Sequence, residues 1–219
     1  MPIIIRASDV VVGAATPLLA GVQYPVRALG TPQLNGSQSI PYNNIPLWWG
    51  HHVATVKNTL RLRGEGAALA ATRFSHFPDL EQFIKAVCRW GDYPGVGGRI
   101  LKNNTQAEIV DRFSKAASIL AGGGLVSHAL AEINHLHSLG TPSFASKHLM
   151  FIRPDICPVL DSFLSKDLGY VFSGFGYQQF SNDCCALAHA IGATGIVHSA
   201  GMSWGAADVE MSMFAALRL

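Results

Sequence analysis

Beyond residue 46, apolar side chains recur at three- and four-residue intervals through most of the chain, and this helical period predicts an all-α fold. LWWGHHVATVKNTLRLRG carries the period from Leu47, with Pro46 suited to a first helical turn. FPDLEQFIKAVCRWG follows, with Asp79 as expected N-cap, Gly91 as stop, and Leu80, Phe83, Ile84 and Val87 on one face. DYPGVGGR reads as a turn. NNTQAEIVDRFSKAASILAGGG contains a Thr105–Glu108 capping box and ends in three glycines. LVSHALAEINHLHSLG predicts a helix closed by Gly140, and SFASKHLMFIRP one halted by Pro154, with a tight Gly-Thr-Pro turn between them. SNDCCALAHAIGATGIVHS and WGAADVEMSMFAALRL predict two further helices, the last with Arg218 complementing its C-terminal dipole. Strand signals are scarce, and no internal repeat is found.

Residues 1–46 break the pattern. Prolines at 2, 17, 25, 32, 41 and 46 and the polar run LNGSQSIPYNN read as an irregular segment packed on a helical domain of residues 47–219. A chain of 219 residues that is 49% hydrophobic and 14% charged has ample core and few charges to solvate, which argues against long disordered tails. Its net charge of +2 permits nucleic-acid binding only through local contacts. Cys88, Cys157, Cys184 and Cys185 include no C-x-x-C pair, so neither metal nor cofactor is expected. No stretch reads as a membrane span or a secretory leader, and a monomeric cytoplasmic protein is expected.

The chemistry concentrates in LGTPSFASKHLMFIRPDICPVLDS, residues 139–162. This order of helix, small-residue hairpin, helix and following Asp resembles the helix-hairpin-helix DNA glycosylases of the endonuclease III and oxoguanine glycosylase superfamily, in particular a bacterial group related to the latter. Ala145 precedes Asp161 by sixteen residues, the alanine-to-aspartate interval of that family. The resemblance implies double-stranded DNA as partner, the hairpin's N–H groups on phosphate, and Asp161 as the essential carboxylate. Gly140, Thr141, Ser143 and Ser146 are then candidate DNA contacts. A carboxylate suits glycosidic-bond cleavage because it stabilises the oxocarbenium character at the sugar and can deprotonate water. The lysine of bifunctional relatives aligns with Ser143, which favours a water-using, monofunctional enzyme, while Lys147, four residues on, shares that helical face and is the alternative nucleophile.

ILKNNTQAEIVDRF resembles the family segment that fills the gap left by a flipped base, with Asn103 as plug and Asn104 beside it. Trp48, Trp49 and His51 in WWGHH, together with Phe175, are candidate walls of a base pocket, with a core role as the plainer reading. His135, His137 and His148 flank the hairpin, where surface or capping roles weigh more than phosphate contact. Asp208 and Glu210 read as solvated or structural. The expected activity is base excision of an oxidised purine or of a bulky modified base such as a hypermodified phage cytosine, in repair or in phage defence. Two non-enzymatic alternatives stay open: a DNA-binding module with Asp161 only a helix cap, and an oligomerising structural protein.

Overall fold

A computed structural model describes Trp49, Gly50, His52, residues 58–198 and residues 200–218, with side chains to Ala215. Trp48, His51, the region 1–46 and the side chain of Arg218 lie outside the described residues. Among those described, the secondary structure is all helical: α1 Thr59–Ala71, α2 Phe77–Trp90, α3 Pro94–Asn103, α4 Gln106–Ala121, α5 Val126–Asn134, α6 Pro142–Ile152, α7 Ser162–Leu168, α8 Gly174–Ala193 and α9 Ala206–Arg218. The all-α expectation is met. Among the described residues, no helix is long and apolar enough to cross a membrane.

The buried centre is α6, where every residue from Ala145 to Ile152 is buried and α1, α2 and α5 pack around it. Enclosure on all sides also takes in Ser146, Lys147 and His148, whose polar groups must then find partners inside the fold. Its contact with α1 depends on Gly66, because a Cβ there would sit 2.3 Å from the Phe151 carbonyl oxygen. Helices α4 and α5 pack against each other next to it, α8 packs on α5, and α9 packs on α8. The first turn of α9 is tied to the exit of α6, since Ala206 N–H and Ala207 N–H donate to Asp155 O and Pro154 O, both at 3.0 Å.

Several boundaries differ from the sequence reading. The helix expected to run from Leu47 is interrupted at Asn58, whose φ of 75° is left-handed, and α1 then continues past Gly64 and Gly66 to Ala71. His76, not Asp79, is the N-cap of α2, and Asp79 instead supplies a negative charge to its first turn. PGVGG is no turn: Pro94 occupies the start of α3, where its missing N–H costs nothing, and the helix runs to Asn103. Helix α5 ends at Asn134, well short of Gly140, and residues 135–141 form a longer connection in which Ser138 has a φ of 74°. The Thr105–Glu108 capping box is present with both reciprocal bonds.

Candidate active site

The connection between α5 and α6 is braced from inside. Asn134 is oriented so that its amide donates to Leu139 O at 2.7 Å and Thr141 O at 3.2 Å. Asn104 reaches the same loop, accepting from His137 N–H at 2.9 Å and donating to His137 O at 3.2 Å and Ile100 O at 2.8 Å. The segment expected to enter DNA therefore does adjoin the hairpin, but Asn104 is committed to holding the two together. Asn103, the last residue of α3, is exposed. Gly140 and Thr141 are exposed at the tip, and Thr141 precedes α6 without a side-chain cap bond. The first-turn N–H groups of α6 can thus serve an outside acceptor.

Ser143 and Ser146 do not present themselves to DNA in the expected way. Ser143 is half-buried, and its carbonyl and hydroxyl oxygens accept from Lys147 Nζ at 3.2 and 3.1 Å. Ser146 is fully buried, because at three residues from Ser143 it turns into the core, where its hydroxyl accepts from Leu160 N–H at 3.2 Å.

Lys147 is the chemically distinctive residue of α6. Its side chain is 8% exposed, its stem passes over Gly91, and its ammonium lies 5.9 Å from the centre of the Phe144 ring. A Cβ on Gly91 would stand 2.9 and 3.0 Å from Lys147 Cδ and Cε, so the missing side chain is the lysine's channel. Tyr93 covers Phe144 edge-on at 5.3 Å between centroids. Burial lowers the Lys147 amine below the usual lysine range, with Asp161, Glu210 and Cys88 drawing it partly back.

Asp161 is half-buried at the N-cap of α7, where Oδ1 accepts from Leu164 N–H at 2.8 Å. The capping role weighed from sequence is real, yet it occupies one carboxylate oxygen of two, so it does not exclude chemistry. The α7 helix closes at Gly169, with φ of 76°.

Sequence reasoning gave Glu210 no part in this site. The residue is 3% exposed on α9, and its Oε2 accepts from Val159 N–H at 3.3 Å. Burial first, and then the neighbouring Asp161, push its carboxyl up to about 8. The available signal was a carboxylate inside the apolar run VEMSMF. Asp208, two residues earlier, points about 200° away around the helix, into a separate network. There it accepts from Trp49 Nε1 at 2.9 Å and Arg63 at 2.7 Å, with His198 Nε2 at 3.6 Å. Burial alone would raise Asp208, but His198 and Arg63 outweigh it and hold the carboxyl below its ordinary value. Neither acid is solvated.

Trp49 thus belongs to the core, 4% exposed, and not to a pocket wall. Phe175 is 69% exposed on the first turn of α8 and encloses nothing, while Tyr177 and Phe180 from the same segment are core residues. His148, expected at the surface, is sealed under Phe83 and Phe113. His135 does cap, with Nδ1 at 2.6 Å from Ala131 O. Among the described residues, no group of three or more His, Cys, Asp or Glu is placed to hold a metal ion. Compared with protein-family models, curated proteins and solved structures, the chain matches none.

Proposed function

We propose that the chain is a DNA N-glycosylase that extrudes a damaged or modified nucleotide and breaks its glycosidic bond at a site formed by Asp161 and Lys147. The observation that carries this reading is a buried amine hydrogen-bonded to Ser143 in the first turn of α6, whose N–H groups can take a phosphate, with Asp161 following a segment tied to α6 through Ser146 and to α9 through Glu210. Asp161 stabilises the positive charge that grows at C1′ as the base departs with the bonding electrons, and accepts a proton from the attacking water. Gly140, Thr141 and the first turn of α6 hold the backbone phosphate, and Asn103 fills the vacated stack. An oxidised purine and a bulky modified base such as hypermodified phage cytosine are the two substrate classes to be tried.

A second reading is favoured by the depressed Lys147 amine. A lysine that burial makes easier to deprotonate can, once neutral, attack C1′ itself, forming the new C–N bond as the base leaves with the bonding electrons, and sugar-ring opening then yields a Schiff base that leads to strand scission. Base release from duplexes carrying oxidised, alkylated, deaminated and glucosylated hydroxymethyl bases tests both. Asp161→Asn, which keeps an oxygen for the Leu164 cap, is expected to lower release by about 100- to 10,000-fold. Strand scission only after alkali supports hydrolysis, and a borohydride-trapped adduct lost in Lys147→Ala supports the amine. No release from any duplex, with DNA binding intact in Asp161→Asn, would leave a hairpin that binds and does not cut.

A further inference from the structure

Asp161 is delivered to the site by the non-helical segment Val159–Leu160, and two helices grip that segment. Leu160 N–H is held by Ser146 of α6 at 3.2 Å, and Val159 N–H by Glu210 of α9 at 3.3 Å. Of the two anchors, Glu210 is the one that can ionise. The titratable and charged groups whose fields reach its carboxyl are Arg63 from α1, Lys147 from α6, Asp161 ahead of α7, and Tyr177 and Cys184 from α8. Lys147 in turn faces Cys88 from α2, Asp161 and Glu210, with His148 next to it on α6. We propose that Glu210 is a positioning residue of the Lys147–Asp161 site: it anchors the backbone that delivers Asp161 and supplies a second carboxyl against the Lys147 ammonium.

The two roles separate by substitution. Glu210→Gln keeps an oxygen for Val159 N–H and removes the charge; Glu210→Ala removes both. Burial makes ionising Glu210 costly, so its charge arrives only near pH 8, and from there it favours the protonated lysine. This inference rests on the glycosylase reading only for its activity arm.

The charge role is read without any substrate, by following the Lys147 Cε resonance against pH in protein labelled with 13C-lysine, assigned through Lys147→Arg. The wild-type curve is expected to show an inflection near pH 8 from Glu210, besides that of the amine itself. In Glu210→Gln that inflection disappears and the amine midpoint falls by about one unit. A wild-type curve with a single inflection, or a midpoint unmoved in Glu210→Gln, overturns the charge role even if one variant fails to fold. For the anchoring role, Glu210→Ala should lose about tenfold in base release and Glu210→Gln should recover most of it, with no inflection near pH 8 in its rate profile. Equal losses in the two variants overturn anchoring. Absence of base release from wild type on every duplex would sink the glycosylase reading and leave the lysine titration standing.

Discussion

One turn beyond Phe144, His148 turns inward, and its Nδ1–H donates to the Phe144 carbonyl at 2.9 Å while Nε2 stays buried without a partner. Burial and the adjacent Lys147 hold the imidazole down to about 4, with the carbonyl bond a partial offset. Because the folded value lies below the ordinary 6.5, the unfolded chain binds the extra proton first. Stability present above pH 6.5 is therefore lost as pH falls towards 4. The loss over that window is about 3 kcal/mol. Urea unfolding of wild type and His148→Leu at pH 7 and pH 4 checks it, since wild type should lose about 3 kcal/mol more than the variant between the two; parallel losses would refute it. Position alone could not have told that His148 is core while His135 is a surface cap. Both lie near the hairpin, and only the packing of α6 separates them. Lys147 and Asp161 were legible because both are local to one segment. Glu210 was not, because its place depends on α9 docking against a loop far earlier in the chain.

At the scale of helices, the contact of α1 with α6 is set by a close backbone approach. Gly66→Ala would drive a methyl into the Phe151 carbonyl, which belongs to a buried helix and cannot swing aside. A loss of about 1–3 kcal/mol is expected, visible as a lower urea midpoint. Gly64→Ala, with open space around its Cβ, should instead gain stability from its better helix propensity. Equal midpoints in the two variants would contradict the close approach. Helix interiors were readable wherever one face was apolar, as in α2, or the cap was chemical, as at Thr105. Boundaries failed where one residue type serves two ends. Pro94 and its glycines suit a turn and equally a first helical turn, and an asparagine at Asn58 can end a helix that the hydrophobic period carries straight through.

For the whole molecule, Asp208 joins elements that are distant in sequence: Trp49, α1 through Arg63, the 196–205 connection through His198 and Gly205, and α9. Its ion pair with Arg63 is 3% and 8% exposed, so removing one partner leaves an uncompensated buried charge. Asp208→Asn should cost about 3–5 kcal/mol. Arg63→Ala should cost a comparable amount, and the double variant less than the sum; strict additivity would mean the pair is not coupled. This network lies on the opposite face of α9 from Glu210, so one short helix carries both a buried ion pair and the carboxyl that anchors Val159. The channel over Gly91 has a consequence of another kind. The lysine's reach is measured against a residue that closes a different helix and contributes no atom to any reaction. The position of the amine is therefore written in the sequence as an empty place, and it could be re-addressed there without altering a single reactive group.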